Sequence, residues 1–331
     1  MPCGSCRAMP ERNERENEMT RAFLFPGQGA QTVGMGKALA DAYPAAKAVF
    51  DEVDDALGEK LSSLIWDGDP ETLTLTRNAQ PALMATSLAA LKALEAEGAG
   101  ISVAAYVAGH SLGEYSALAA AEALSVSDTA RLLRLRGQAM QDAVPVGEGA
   151  MAAILGLDLD AVRALAQEAA GNEVCEAAND NDPAQVVVSG HLDAVKRAVE
   201  LAGEKGARRA VMLPVSAPFH CRLMEPAAAA MAEALGQASI GRPKVPLVAN
   251  VLAREVSDPA TIRSLLVEQV TRMVRWRESV AWMAANGVAE AWEIGAGKAL
   301  SGMARRIAKD MRLHAVSTPE DASAAAASIG G

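Results

Sequence analysis

Short apolar segments alternate with longer amphipathic ones along most of the chain. Apolar runs bounded by glycine, proline or polar residues predict buried strands, and these lie at 22–25, 103–108, 247–251, 289–294 and 312–316. A helical period predicts helices at 34–57, 81–97, 112–121, 127–142, 222–236, 259–271, 277–286 and 299–309. Strands that alternate with helices of this length favour an α/β fold with a mainly parallel sheet covered on both faces.

The segment 147–214 has a different order of elements. Its pattern predicts strand 150–155, helix 158–169, strands 174–178 and 185–189, helix 191–205 and strand 208–213. This β-α-β-β-α-β order is ferredoxin-like. We therefore expect a small ferredoxin-like subdomain inserted in a larger α/β domain made of 19–146 and 215–318. The groove between the two is the expected ligand site.

The two ends of the chain lack this pattern. Residues 1–18 are polar and charged without periodicity, and we expect a disordered extension. Cys3 and Cys6 have the spacing of a metal or redox pair, but since no second pair follows, we interpret them as incidental. Residues 319–331 are rich in alanine, serine and glycine and predict a flexible tail.

Composition and charge exclude several classes of protein. The 331 residues include 31 lysines and arginines against 41 aspartates and glutamates, a net charge of −10. This balance disfavours a nucleic-acid-binding protein, which needs a basic surface. The sequence has no uninterrupted apolar stretch of about 18 residues, so we expect no membrane span. Four scattered cysteines do not make a disulfide framework and indicate a reducing compartment, the cytoplasm.

The segment from Gly109 to Gly113 fits the pattern G-x-S-x-G, with Ser111 at its centre. It follows a predicted strand and precedes a predicted helix, which is the context of a nucleophile elbow. Glycines on both sides allow a turn too tight for a Cβ atom, and the helix start favours developing negative charge at the hydroxyl. We therefore predict that Ser111 is a nucleophile. The alternative is a helix entry that needs only small residues.

A serine nucleophile needs a base, and the chain has four histidines. His110 adjoins Ser111, so its side chain should point elsewhere and support the site. His191 is typical of a helix cap or surface residue, and His314 lies near the end of the chain. His220 lies in a proline-rich loop between a strand and a helix, where catalytic residues are often displayed. We predict that His220 is the general base and acid.

A glycine-rich turn over 25–31 directly follows the first predicted strand. It satisfies neither G-x-G-x-x-G nor the Walker pattern of a phosphate loop. The backbone amides of Gln28 and Leu112 would instead form an oxyanion hole, the arrangement that acyl transfer needs.

Arg136 lies on the apolar stripe of the predicted helix 127–142, four residues from both Leu132 and Met140. An arginine on a core face must be paired, because burial of its charge alone is costly. The spacing leaves two interpretations open. One is an internal salt bridge or a side chain that reaches solvent, and the other is a bidentate clamp for a substrate carboxylate.

Six motifs in order carry a resemblance to a known family: FPGQGAQ, GHSLGEYSAL, LRGQAMQ, GEGAMAAILGL, APFHCRLM and EIGAGKALSGM. From about Thr20 to Ser317 the chain resembles the malonyl-CoA:acyl carrier protein transacylases of bacterial type II fatty-acid synthesis. The resemblance implies an α/β-hydrolase-like domain with a ferredoxin-like insertion. It also implies a ping-pong reaction without a cofactor, in which Ser111 takes malonyl from malonyl-CoA and passes it to the phosphopantetheine thiol of acyl carrier protein.

The resemblance implies roles for further residues at matching positions. The amides of Gln28 and Leu112 match the oxyanion-hole donors, and Arg136 matches the arginine that binds the malonyl carboxylate. The main-chain carbonyl of Gln269 matches the group that orients His220, in place of a carboxylate. The residues expected to line the pocket or set its specificity are Phe219, which would crowd out an α-methyl group, Met151, Asn179 and His110.

Three alternative functions remain. A trans-acting acyltransferase of a polyketide synthase would use the same residues. A serine thioesterase or esterase would need an acid between Ser111 and His220 and would have no use for Arg136. A non-catalytic module that binds carrier protein would not need these three residues. We expect malonyl-CoA and acyl carrier protein as partners, neither nucleic acid nor membrane, and a monomer.

Overall fold

The computed structural model describes residues 20–215 and 217–329, so the predicted extension 1–18, with Cys3 and Cys6, lies outside the described residues. The strands are β1 Arg21–Phe25, β2 Tyr106–Gly109, β3 Gly149–Leu155, β4 Cys175–Asp182, β5 Gln185–His191, β6 Arg209–Met212, β7 Leu247–Ala249, β8 Arg254–Val256, β9 Glu290–Ile294 and β10 Arg312–Val316. The helices are α1 Lys37–Ala42, α2 Pro44–Leu57, α3 Leu61–Asp67, α4 Pro70–Thr74, α5 Thr76–Ala96, α6 Gly113–Ala120, α7 Val126–Asp142, α8 Leu159–Ala170, α9 Leu192–Glu204, α10 Glu225–Gln237, α11 Pro259–Thr271, α12 Trp276–Ala285, α13 Ala299–Ile307 and α14 Pro319–Ala327. Among these described helices, none is both long and apolar enough to span a membrane.

A six-stranded sheet forms the centre of the molecule, in the order β10-β9-β1-β2-β7-β8. All neighbours from β10 to β7 pair in parallel, and β8 pairs antiparallel with β7 at one edge. In the fully buried strand β1, Phe23 and Phe25 belong to a core with residues of α5 and α6. Ala22 and Leu24 belong to a second core with Trp276 of α12. Because alternate residues face two cores, helices cover both faces of the sheet, which confirms the predicted mixed α/β class.

A second sheet of four antiparallel strands has the order β4-β5-β3-β6. Its elements follow one another as β-α-β-β-α-β between residues 149 and 212. On β3, Ala152 and Ile154 pack with residues of α8 and α9, whereas Met151 and Ala153 belong to the main core. The period of two along β3 therefore turns one face of this sheet toward its own helices and the other toward the larger part of the molecule.

The structure differs from the predicted helix 34–57 and forms α1 and α2 instead. Tyr43 separates them in an extended conformation, with φ −125° and ψ 114°, and Pro44 begins α2. A residue before proline is disfavoured in the helical region because the proline ring crowds its backbone. The hydrophobic period continues across this break, so the period alone did not reveal it.

Part of the segment predicted as a flexible tail is helix α14. Thr318 and Asp321 form a capping box at its start, with proline in the first turn, and Ala322 and Ala325 are buried. Small residues allow a helix to pack closely, so alanine-rich composition here indicates contact with the core. Residues 330 and 331 are not described.

Three elements meet at the turn after β2. A Cβ atom added to Gly113, at the start of α6, would lie 2.2 Å from the carbonyl oxygen of Phe25 on β1. A Cβ atom on Gly109 would lie 1.9 Å from the carbonyl carbon of Gly113. The two glycines thus allow β1, β2 and α6 to approach to backbone contact, and this approach fixes where Ser111 is presented.

We expect Gly113→Ala to destabilise the fold by roughly 3 kcal/mol or more, because its Cβ must displace the backbone of β1. Gly302→Ala in α13 is the matched control, since a Cβ there meets no atom within 4 Å. That variant should be stabilised by about 0.5–1 kcal/mol, the usual gain for alanine over glycine inside a helix. Urea unfolding measures both, and equal unfolding midpoints for the two variants would contradict the argument.

Candidate active site

Ser111 lies in the turn between β2 and α6 with φ 53°, in the left-handed region. Its peptide groups are held by two amide side chains from distant segments. The N–H of Ser111 donates to Oδ1 of Asn250 at 2.8 Å, and Nδ2 of Asn250 donates to the carbonyl of Gly109 at 2.7 Å. Nε2 of Gln269 donates to the carbonyl of Ser111 at 2.9 Å. These bonds stabilise a backbone conformation that costs about 1–3 kcal/mol by itself.

His220 is the hydrogen-bond partner of the Ser111 hydroxyl. The Oγ of Ser111 lies 2.8 Å from Nε2 of His220, and Nδ1 of His220 lies 2.8 Å from the main-chain carbonyl oxygen of Gln269. Because a carbonyl only accepts, Nδ1 carries the proton and Nε2 is free to accept one from the serine. Burial, with a further contribution from the charge of Arg136, lowers the pKa of His220 to about 3. The ring is therefore neutral near neutral pH and able to act as a base.

Arg136 on α7 is buried, with its guanidinium beside the hydroxyl of Ser111. Nη2 donates to Oγ of Ser111 at 3.2 Å and to Oε1 of Gln269 at 2.9 Å, and Nη1 donates to Oε1 of Gln80 at 2.8 Å. Among the described residues, no carboxylate lies within 4 Å of this guanidinium, and its Nε has no hydrogen-bond partner. Arg136 therefore forms no salt bridge with any acid among residues 20–215 and 217–329, which argues against the internal salt bridge that the sequence left as one interpretation. A buried cation of this kind favours an anionic ligand.

A cavity of about 340 Å³ opens beside these groups. It is lined by nine of the ten residues that the sequence singled out: Gln28, His110, Ser111, Leu112, Arg136, Met151, Asn179, Phe219 and His220. The tenth, Gln269, is fully buried behind His220. Within the described residues, no three His, Cys, Asp or Glu side chains are grouped to hold a metal ion. The cavity has the size of a small-ligand site.

Two backbone amides at the cavity wall have no acceptor within the described part of the chain. They are the N–H groups of Gln28, after β1, and of Leu112, at the start of α6. Leu112 follows Ser111 directly, so its amide lies close to the Ser111 side chain. Free N–H groups at a helix start are suited to binding an oxyanion.

Sequence reasoning missed three polar residues of this site: Gln80, Asn250 and Glu114. Gln80 and Asn250 are uncharged and lie in the apolar surroundings of α5 and at the end of β7, so nothing local distinguishes them. Glu114 had a detectable signal, since it is the one charged residue of helix α6, whose sequence is GEYSALAA. An acid at a buried position usually has a specific partner.

The carboxylate of Glu114 is 1% exposed and accepts hydrogen bonds at Oε2. Its donors are Nε2 of Gln269 at 2.7 Å and the backbone N–H of Asn250 at 3.3 Å. Within the described residues, no cationic group lies within 4 Å of it. Burial raises the pKa of Glu114 to about 7, and the hydrogen bond from Gln269 only partly opposes this rise. Both of its protonation states are therefore accessible near neutrality.

Strand β4 is fastened to the helices of the larger sheet by two ion pairs. Asp180 pairs with Arg277 of α12 at 2.8 Å, and Asp182 pairs with Arg306 of α13 at 2.6 Å. Both carboxylates are about 1% exposed. A main-chain bridge between β4 and Val274 adds two hydrogen bonds of 2.9 Å. This strand is thus fixed beside the cavity that Asn179, one of its residues, lines.

His110 contributes a further link between the two sheets. Its Nε2 lies 2.9 Å from Oδ1 of Asn181 on β4, and its ring lies against Trp276. Burial lowers the pKa of His110, so the ring is neutral. Among the described residues, the partners of the Ser111 hydroxyl are His220 and Arg136, and His110 instead joins the two sheets beside it.

Comparison with known proteins covers nearly all of the described chain. Residues 22–313 match a family model described as an acyl transferase domain. A malonyl CoA-acyl carrier protein transacylase from Bacillus subtilis is 49% identical over 301 residues, which are 90% of this chain and 94% of that protein. The likeness therefore extends over every segment that forms the site.

Solved structures show the same likeness in three dimensions. An acyl-carrier-protein-S-malonyltransferase from Bartonella henselae is 55% identical with a TM-score of 0.92, over 95% of this chain and all of that one. A malonyl-transacylase solved in complex with a type II PKS acyl-carrier protein is 39% identical with a TM-score of 0.91, over 93% of this chain and 99% of that one.

We expect Glu114→Gln to change how stability depends on pH. The pKa of Glu114 is about 7 in the folded protein against an ordinary value of 4.5. Protonation of Glu114 therefore stabilises the folded protein. This stabilisation is complete below about pH 4.5 and is lost as the pH rises through about 7, and the loss is roughly 3 kcal/mol of free energy of unfolding. Glutamine does not ionise, so between about pH 5 and about pH 8 the variant should lose less free energy of unfolding than the wild type. Urea titrations at both pH values measure this, and equal losses would contradict it.

Proposed function

This chain belongs to the acyl transferase family, among the malonyl-CoA:acyl carrier protein transacylases. From that premise we propose that it transfers malonyl from malonyl-CoA to the phosphopantetheine thiol of acyl carrier protein, as a step that supplies fatty-acid synthesis. The proposed reaction is ping-pong, passes through an ester on Ser111 and uses no cofactor.

One observation carries this proposal: a serine–histidine pair shares one cavity with a buried arginine that has no carboxylate partner among residues 20–215 and 217–329. Nη2 of Arg136 lies 3.2 Å from Oγ of Ser111, which is the distance of a hydrogen bond. An acyl group that carries a second carboxylate would place that carboxylate on the guanidinium and its thioester on the serine. A hydrolase for neutral acyl chains would have no use for the buried charge.

In the first half-reaction, Oγ of Ser111 attacks the thioester carbonyl of malonyl-CoA while Nε2 of His220 takes the hydroxyl proton. The carbonyl π electrons move to oxygen, and the N–H groups of Gln28 and Leu112 bind the resulting oxyanion. When the intermediate collapses, the C–S bond breaks, and His220 gives its proton to the departing sulfur. Malonyl-serine and free coenzyme A result.

In the second half-reaction, the thiol of phosphopantetheine on acyl carrier protein attacks the ester carbonyl. His220 takes the thiol proton and returns it to Oγ of Ser111 as the C–O bond breaks. The carbonyl of Gln269 orients His220, and the part of the chain that the structure describes places no carboxylate beside the ring, so the imidazolium formed in each half is a ready proton donor. Transfer needs water to be kept from the ester, because water would compete with the thiol.

The second sheet and its helices form the proposed ferredoxin-like subdomain, inserted in a hydrolase-like domain. Its strand order, with the first and third strands in the middle, supports this assignment. We propose that Met151 and Asn179 on this sheet form one wall of the malonyl pocket and that Phe219 forms the wall opposed to an α-methyl group. All three line the cavity.

We expect a malonyl adduct on Ser111 when purified protein is mixed briefly with malonyl-CoA and examined by intact-protein mass spectrometry. Ser111→Ala should give none, and addition of holo-acyl carrier protein should discharge the adduct onto the carrier thiol. An adduct lost to water at the same rate with and without carrier protein would favour a thioesterase. Absence of any adduct would contradict the proposed function.

We expect Arg136→Ala to lower malonyl transfer by roughly a hundredfold, the value of a buried hydrogen bond to a charged group. Acetyl transfer has no carboxylate to lose and should fall less, so the ratio of acetyl to malonyl transfer rises. Arg131→Ala on the same helix is the control, because Arg131 is 57% exposed and pairs with Asp128. Steady-state assays with both acyl-CoA donors measure the ratio. An unchanged ratio in Arg136→Ala would assign the arginine a structural role.

A further inference from the structure

Glu114 follows Ser111 on α6 and does not line the cavity. It does contact Gln269, which hydrogen-bonds to Ser111, Arg136 and His220. Its Oε2 accepts from Nε2 of Gln269 at 2.7 Å. The other end of that amide, Oε1, accepts from Nη2 of Arg136 at 2.9 Å. The same Nε2 also donates to the carbonyl of Ser111 at 2.9 Å. The side-chain amide of Gln269 therefore connects the buried carboxylate of Glu114 to both Arg136 and Ser111.

The orientation of the Gln269 amide decides whether these contacts are favourable. Rotated by half a turn, the amide would aim its NH₂ group at the guanidinium of Arg136, where two donors meet. Its oxygen would face the carbonyl of Ser111 and the carboxylate of Glu114, where acceptors meet. An ionised carboxylate is an acceptor only. It therefore favours the observed orientation, in which the NH₂ group points at Glu114, and opposes the rotated one.

We propose that Glu114 is a positioning residue for acyl transfer, whose ionised carboxylate fixes the Gln269 amide and, through it, Arg136 and the peptide of Ser111. The inference rests on the proposed function, since it assigns Glu114 a part in that reaction. A protonated Glu114 carries an O–H donor and no longer adds to the preference that Arg136 and the carbonyl of Ser111 give to this orientation of the amide. The site is then held less well, and the carboxylate and the thioester of malonyl-CoA are placed less accurately.

The surroundings of Glu114 make its ionisation sensitive to pH in the neutral range. Burial raises its pKa to about 7, and the nearest charge that opposes the rise is that of Arg136 on α7. Tyr115 adjoins it on α6 and is neutral, because burial raises the pKa of Tyr115. His110, before α6, and His220 are neutral as well, because burial lowers the pKa of both.

The other elements packed on α6 bring no further charge close to Glu114 within the described residues. Strand β7 has the sequence LVA and no titratable side chain. Arg21 of β1 is paired with Glu290, and Tyr106 of β2 packs against Trp282. The titratable residues of α5 are partly or fully exposed: Arg77, Lys92 and Glu95. Titration of the site near neutrality is therefore expected from Glu114.

The test measures the rate of Ser111 acylation by malonyl-CoA in single turnovers, between about pH 5.5 and about pH 8.5, for the wild type and Glu114→Gln. Wild-type protein should show two plateaus about tenfold apart, with the faster one above about pH 7, since a small misplacement of reacting groups costs up to ~10² in rate. Glutamine has the size of glutamate and cannot ionise. Glu114→Gln should stay near the slower plateau throughout.

Glu293→Gln is the matched control for loss of a buried carboxylate. Glu293 is fully buried and accepts from the backbone N–H groups of Leu300 and Ser301 at 3.0 and 2.8 Å, at the start of α13. It contacts none of the residues proposed to take part in acyl transfer. This variant should keep both plateaus of the wild type, even if its melting temperature falls as far as that of Glu114→Gln.

Two results would overturn the inference. One is a Glu114→Gln protein that keeps the wild-type transition near pH 7, because another group would then be titrating. The other is a Glu114→Gln protein that matches the faster wild-type plateau. A wild-type protein that forms no malonyl adduct would instead overturn the proposed function, so the two failures are distinguishable.

Discussion

The side-chain amide and the main-chain carbonyl of Gln269 join groups that come from widely separated parts of the chain. The carbonyl binds His220, the amide oxygen binds Arg136, and the amide nitrogen binds both Ser111 and Glu114. Each bond restricts the others, because one side chain and one peptide make all of them. The geometry of the site therefore depends on where the end of α11 lies relative to β2 and α7, and the packed helices between them fix that relation.

This arrangement costs stability that the rest of the molecule must offset. Ser111 and His220 both have φ near 55°, at 53° and 58°, in a region that residues with a Cβ atom rarely adopt. Arg136 and Glu114 are buried charged groups that do not contact each other. Their interaction passes through the neutral amide of Gln269, which leaves the face of the guanidinium at the cavity free for a ligand. Two large apolar cores on the faces of the central sheet provide the compensating burial.

Local patterns predicted the class of the fold and the positions of the candidate residues that lie in recognisable contexts. Ser111 was predicted because glycines flank it between a strand and a helix, and Arg136 because it interrupts an apolar stripe. Gln269 came from the resemblance alone. Asn250 and Gln80 were missed because their contacts are with residues 139 and 56 positions away along the chain, and no local period records such a contact. The break at Tyr43 was missed because the hydrophobic period runs through it, whereas Pro44 interrupts only the backbone.

The attachment of β4 to α12 and α13 also has a consequence for access. Ion pairs from Asp180 and Asp182 and the bridge to Val274 hold β4, whose residue Asn179 lines the cavity, to elements of the larger sheet. A site of this kind is not opened by lifting a flap. Because this wall is fixed and the cavity has a volume of about 340 Å³, only a small group can enter it. A long tether that carries the acyl group at its tip satisfies this requirement, while the bulk of the nucleotide or the carrier stays outside the walls.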